Sequence, residues 1–179
     1  MKRKVVLFTS NRSFWIIILY LVLFYLLFIP SAQVKALPEF TGEVIDVSDG
    51  DTIKVRHIMI QGKFENVSLA GIDCPEENQA FGKIAKKFTS EMVLGKEVTI
   101  GITKIDPREG IIGEVTLPDG KSLNRELVKA GLAWRDALSA RDSSLGELEA
   151  EARKFRLGLW ADDYPIPPWE FRKLQKSMR

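Results

Sequence analysis

A single cysteine and a single histidine in 179 residues exclude several chemistries at the outset. Cys74 has no partner for an internal bridge, so the fold must rest on a hydrophobic core and not on disulfide staples. His57 stands in a strand-like pattern with no serine or cysteine at a spacing that marks a partner, so it reads as a surface or barrel-wall residue. A thiol hydrolase built on Cys74 is disfavoured for the same reason. Acidic residues are absent from positions 1–36, where Lys2, Arg3, Lys4, Arg12 and Lys35 give a charge of +5. Residues 37–179 then hold 21 basic and 24 acidic residues, a net charge of −3. That balance excludes a nucleic-acid binder of the histone or homeodomain kind, whose affinity comes from a surplus of positive charge. A phosphate ligand would need local help, such as a bound cation. At 45% hydrophobic and 28% charged, the chain has the composition of one ordinary globular domain.

Long apolar runs occur once. Phe14 to Ile29 is a sequence of sixteen uncharged apolar or aromatic residues, preceded by the basic stretch 1–12 and ended by Pro30. As a helix it would reach roughly 24 Å, short of the roughly 30 Å hydrocarbon core yet longer than the usual signal-peptide core. The pattern Val34-Lys35-Ala36 suits a signal peptidase, so residues 1–36 read as a signal peptide, with an uncleaved membrane anchor as the alternative. In both cases the flanking charge places the following domain outside the cytoplasm, exported or membrane-anchored.

Beyond residue 37, period-2 patterns over 43–47, 52–60 and 64–70 predict a three-stranded meander. Phe81, Ile84, Phe88 and Met92 mark an amphipathic helix over 79–94, closed by Gly95. Two more strands follow over 96–104 and 111–117, then helices over 123–130 and 145–157. Ser144 and Glu147 stand in capping-box spacing, and Leu148, Ala152 and Phe155 are set to face the core. The segment 164–169 is too rich in proline for regular helix, and Arg172, Lys173, Lys176 and Arg179 form a basic tail, for which contact with phosphate is one reading and a solvated end the commoner one. Five short strands with about three helices suit an α+β domain built on a Greek-key barrel of the OB type, with other α+β arrangements left open. Residues 37–163 form that domain and 164–179 a tail.

Asp49, Asp51, Asp73, Glu76 and Glu77 cluster at two predicted strand ends. If the second and third strands pair, these carboxylates converge, and converging carboxylates call for a hard cation with oxygen ligands, such as Ca²⁺. Asp and Gly are also ordinary turn residues, so spacing alone equally permits solvated turns.

These same residues carry a family resemblance. Val47-Ser48-Asp49-Gly50-Asp51-Thr52, then Leu69-Ala70-Gly71-Ile72-Asp73-Cys74-Pro75-Glu76, then Leu127-Val128-Lys129-Ala130-Gly131-Leu132-Ala133 and Gly158-Leu159-Trp160 resemble the thermonuclease (staphylococcal nuclease-like) family in order and interval, over roughly residues 42–160. Pro167-Pro168-Trp169-Glu170 resembles the tail of exported bacterial members. The resemblance implies an OB-fold barrel that, in active members, uses Ca²⁺ to cleave phosphodiester bonds of DNA and RNA. It implies Asp51 and Asp73 as metal carboxylates, the main-chain carbonyl of Cys74 as a further ligand, Asp49 as an acid beside the metal, and Glu76 as general base.

The departures are cationic. The arginine that in active members precedes the Leu69 position is Ser68 here. A second arginine falls on Gly110, or on Ile111 in the register shifted by one, and neither restores it. Losing one preorganised donor to a developing oxyanion costs roughly 10²–10³ in rate, so hydrolysis is expected to be impaired or absent. Arg108 is the candidate substitute cation, with Arg56 or Lys63 as other sources. The family's base-pocket aromatics lack counterparts near Arg108 and 134–141. Trp134 and Trp160 are expected to pack helices on the barrel, and Trp169 to clamp the tail or anchor a partner. Two functions remain: a Ca²⁺-dependent nuclease, or a non-catalytic OB module binding single-stranded DNA, RNA or a protein, in either case as a monomer. A guanidinium opposite Glu76 across the carboxylate cleft discriminates between them.

Overall fold

The computed structural model describes residues 16–21, 24, 38–107, 110–136 and 142–178. The chain divides into two units, Met1–Ala36 and Leu37–Arg179. In the first, residues 16–21 are helical, and all but the half-buried Ile18 are exposed. No helix among the described residues is long and apolar enough to cross a membrane. The cleavage motif Val34-Lys35-Ala36 and Arg108 both lie outside the described residues.

In the second unit, five strands close a barrel. β1 (Glu39–Asp49) pairs antiparallel with β2 (Thr52–His57), and β2 with β3 (Phe64–Leu69). After the two-residue β4 (Ile72–Asp73) and helix α1 (Gly82–Val93), the chain returns as β5 (Glu97–Asp106), antiparallel to the first half of β1. β6 (Gly110–Thr116) runs antiparallel to β5 and parallel to β3, which completes the order β1-β2-β3-β6-β5. Register shifts between Val44 and Asp46 and between Val47 and Asp49 bend β1, so that one strand serves two neighbours around the curve. Alternation fills the interior with Val44, Ile53, Val55, Val67, Ile100 and Val115, all fully buried. The five predicted strands are these five, with ends shifted by a few residues. The second stops at His57, and Ile58, Met59 and Ile60 form an exposed hairpin tip. His57 lies in the barrel wall, stacked on Phe40 at 4.0 Å.

Helix α2 (Leu123–Lys129), strand β7 (Trp134–Arg135), helix α3 (Ser144–Lys154), a 3₁₀ turn (Gly158–Ala161) and helix α4 (Pro168–Ser177) follow. Three corrections to the sequence reading have physical causes. Along α1 the stripe turned to the barrel is Gly82, Ala85, Thr89 and Val93, while Ile84 is 53% exposed, because the small residues let the helix approach closely. The capping box of Ser144 and Glu147 does not form; Asp142 accepts from the Ser144 amide at 2.9 Å and from its hydroxyl at 2.6 Å. Phe155 is exposed past the end of α3, so of the three expected residues only Ala152 and part of Leu148 pack inward, joined by buried Leu145. A fourth helix also exists where a solvated tail was expected. Pro168 opens it at a first-turn position, where the missing N–H costs nothing.

Candidate active site

The β1–β2 turn sets two carboxylates beside the barrel. Asp49 ends β1 and accepts from the Gly50 amide at 2.8 Å. Gly50 is wedged against α1: a Cβ there would lie 2.8 Å from the Cβ of Cys74 and 2.9 Å from that of Ala85. Thr89, fully buried on α1, donates its hydroxyl to the Gly50 carbonyl at 2.5 Å and locks the turn from below. Asp51 then takes the Cys74 amide on Oδ2 at 2.6 Å and the Thr52 hydroxyl on Oδ1 at 3.2 Å. The turn and the exit from β3 are thereby tied together, as the pairing of Thr52 with Ser68 and the bond from the Leu69 amide to the Asp51 carbonyl require.

Asp73 reaches the same place from β4, whose partner across the small sheet is Trp134 of β7. Glu76 follows where the chain turns into α1; its amide donates to Gln79 Oε1 at 3.2 Å. A cleft of about 830 Å³ is lined by Asp49, Asp51, Asp73, Glu76, Ser68 and Arg172, among others. Glu77, expected in the same cluster, is exposed and pairs with Lys86 at 3.4 Å.

Electrostatics in the cleft are those of crowded acids. Burial pushes the Asp51 carboxyl up to about 7, with the charges of Asp73 and Asp49 adding to the rise against the Cys74 amide bond. Burial likewise raises Asp49, helped by Glu76, and raises Asp73 in spite of the bonds it receives from Arg172. The Cys74 thiol is buried and pushed well up, first by desolvation and then by the same aspartates, so it is not a nucleophile at neutral pH.

The counter-charge comes from the basic tail, whose commoner reading from sequence was a solvated end. Arg172 on α4 forks onto Asp73, with Nη2 to Oδ2 at 2.8 Å and Nη1 to Oδ1 at 3.1 Å, and Nη1 also donates to Glu76 Oε1 at 2.7 Å. These acceptors hold the guanidinium firmly charged, Asp73 first. The signal was present in the sequence: once Trp169 clamps the tail and Pro168 starts a helix, a residue three positions after Trp169 lies on the same face. Trp169 does clamp it, edge-on to Trp134 at 5.6 Å, and Gln79 Nε2 donates to the Ile166 carbonyl at 2.5 Å beside the entry to α4.

Ser68 lines the cleft from β3, next to Thr52 and Ile112. Gly110 has φ +84°, and a Cβ there would meet the Asn66 carbonyl oxygen at 2.6 Å, so this backbone now requires glycine. Ile111 is buried in the core at 5% exposure. Neither position accommodates a guanidinium without rebuilding the start of β6. Of the other cation sources, Arg56 pairs with Glu43 and Lys63 with Glu65 at 3.1 Å, both along the β1–β2–β3 hairpins.

The donor set fits a hard divalent cation in its chemistry: aspartate oxygens facing one cleft, one of them buried with its charge unbalanced. Among the described residues no three His, Cys, Asp or Glu side chains converge into a ready-made metal cage. Asp73 is engaged on both oxygens by Arg172.

Comparison with known proteins agrees with this geometry. The family described as Staphylococcal nuclease homologue matches residues 66–162. An Escherichia coli protein named an uncharacterized endonuclease is 39% identical over 131 residues, covering 73% of this chain and 84% of its own length. A Shigella flexneri protein named micrococcal nuclease is 34% identical over 155 residues, 81% of this chain and 87% of that protein. A Haemophilus influenzae uncharacterized endonuclease is 34% identical over 136 residues, 76% and 75% of the two chains. Closed barrel, carboxylate cleft and these likenesses together place the chain in the staphylococcal nuclease family of nucleic-acid hydrolases.

Proposed function

We propose that this protein is a Ca²⁺-dependent phosphodiesterase of single-stranded DNA or RNA that works slowly, because the guanidinium positions at Ser68 and Gly110 are lost. The observation that carries the reading is that Asp51, Asp73 and Glu76 line one open cleft in which a guanidinium meets Glu76. An acidic cleft repels a phosphodiester, so a substrate enters only with a cation that offsets the aspartates. Asp51 and Asp73 would hold that cation, with the Cys74 carbonyl as a third oxygen and Asp49 beside them. Once bound, the cation supplies charge that polarises a phosphoryl oxygen.

The remaining chemistry belongs to the chain. Glu76 takes a proton from the attacking water, a new P–O bond forms, and the P–O bond to the leaving oxygen breaks, that oxygen taking its proton from solvent. Gln79 steadies the Glu76 main chain through its 3.2 Å bond and fixes where the base stands. The basic and then apolar N-terminal segment supports export of the domain, by cleavage near Ala36 or by anchoring.

The test uses the full chain with single-stranded DNA and RNA, in Ca²⁺ and in chelator, with Glu76→Gln as control. Cleavage that needs Ca²⁺ and falls by about 10²–10⁴ in Glu76→Gln is expected. Oligonucleotide binding without cleavage would favour the non-catalytic OB module, the reading that Ser68 and Gly110 support. Cleavage unchanged in Glu76→Gln would remove this site from the reaction.

A further inference from the structure

The carboxylate cleft has few cations of its own. Lys104 lines it but pairs with Asp106 at 3.1 Å, and Arg172 is the lining cation that bonds to the carboxylates themselves. We propose that Arg172 is the phosphate-binding guanidinium of this site, delivered by the C-terminal helix in place of the arginines absent at Ser68 and Gly110, and parked on Asp73 and Glu76 until an anionic ligand takes it. The proposal deepens the nucleic-acid reading above and rests on it.

Four observations support this assignment. The three bonds to Asp73 and Glu76 use three of the five N–H donors of a guanidinium, so two remain for an incoming oxygen. The Arg172 side chain is 45% exposed, and it lines the same cleft as the aspartates, so a ligand reaches it without unfolding anything. Its helix is held in place on the side next to the site by the edge contact of Trp169 on Trp134 and, at its entry, by the Gln79 bond to Ile166. Finally, a divalent cation on Asp73 and a guanidinium on Asp73 compete for the same two oxygens. Each Asp73 oxygen has a further lone pair, but a cation placed there repels the guanidinium and weakens its hold, which favours turning the planar, paired donor beside Glu76 toward an anion.

A structural ion pair that only ties α4 to the barrel would show the same three bonds, so the experiment reads phosphate contact directly. Binding of a fluorescent single-stranded DNA oligonucleotide is measured against salt concentration, in Ca²⁺ and in a Glu76→Gln background that stops cleavage, with and without Arg172→Gln and Arg172→Lys. Ca²⁺ titration without nucleic acid and near-ultraviolet dichroism of the tryptophans accompany each variant. Arg172→Gln is expected to weaken oligonucleotide binding about tenfold at low salt and to flatten the salt slope by about 0.7, the share of one single-strand phosphate contact. Ca²⁺ binding is expected to be as tight or tighter, and the tryptophan spectrum unchanged. Arg172→Lys keeps the charge and so the slope. In the Glu76 chain it still loses cleavage, because the paired donors are gone, and Arg172→Gln there lowers the rate by roughly 10²–10³.

Unchanged affinity and slope in Arg172→Gln would overturn the assignment and leave Arg172 a structural pair, whether or not the chain cleaves. Tighter nucleic-acid binding would overturn it in favour of a plug. Binding without cleavage in the Glu76 chain sinks hydrolysis alone, since the slope still reports on Arg172. No oligonucleotide binding at all sinks both.

Discussion

Trp134 is the cross-strand partner of Asp73, and Trp169 meets Trp134 edge-on at 5.6 Å, so the helix that returns Arg172 to Asp73 is docked on the residue facing Asp73. The acid and the guanidinium are 99 residues apart in sequence and share one support. Arg153 stacks on Trp160 at 3.6 Å and lies 4.9 Å from Trp134, which stiffens that support from the side of α3.

Removing the clamp therefore tests more than stability. Trp169→Ala is expected to cost about 1–3 kcal/mol while the barrel stays folded, since Trp169 packs on the tryptophan cluster outside the barrel core. Cleavage in Trp169→Ala should fall toward that of Arg172→Gln, and the double variant should be no worse than either one. Additive losses in steady-state kinetics would separate the two residues.

Asp51 makes the cation-free domain sensitive to pH. Its folded value of about 7 lies above the unfolded value of about 3.9. The native state thus binds the proton more tightly, and stability falls as pH rises through the window between those values. Urea midpoints should decline from about pH 4 to 7 in chelator and flatten when Ca²⁺ is present. Ca²⁺ affinity should weaken as pH falls below about 7, because the bound proton must leave first. Asp51→Asn should lessen the decline, leaving the share of Asp49 and Asp73, and should weaken the Ca²⁺ effect.

Ser68 and Gly110 are expected to differ as sites of repair. Ser68 faces the cleft from a regular strand, so Ser68→Arg should raise cleavage about tenfold or more and lessen the dependence on Arg172. Gly110→Arg should instead lower the melting temperature, as its φ of +84° and the Asn66 carbonyl at 2.6 Å leave no room for a side chain. Kinetics on the first variant and calorimetry on the second decide each.

Asn124 joins the barrel to the segment that leads into β4. Its Oδ1 accepts from the buried Val115 amide at 3.1 Å, and its Nδ2 donates to the partly buried Ala70 carbonyl at 2.9 Å. Asn124→Leu should cost about 1–3 kcal/mol per orphaned group and weaken Ca²⁺ binding through the displaced Asp73. A variant with full stability and affinity would remove this link.

Much of the fold was legible because it is written in local periods. Alternation placed Ile53, Val55 and Val67 on one face of their strands, and the turn residues Asp49, Gly50 and Asp51 marked where that pattern reverses. The family resemblance carried by the motifs from Val47 to Trp160 implied which carboxylates form the site and a barrel to hold them, where spacing alone left solvated turns open. The face of α1 was misjudged because packing favoured small residues, Ala85 and Thr89, over the larger Ile84, and no period states how closely a helix approaches. Arg172 was legible only as one charge in a basic tail.

What the chain determined by itself is thus the set of groups whose neighbours are local: the acids of the β1–β2 turn, the acids after β3, the glycine at 110. Tertiary structure alone decided that Arg172 would meet Asp73 and Glu76. That meeting depends on Trp169 finding Trp134 and on Gln79 reaching Ile166, contacts between segments tens of residues apart whose energies arise only once the barrel has closed and the small β4–β7 sheet has formed beside it.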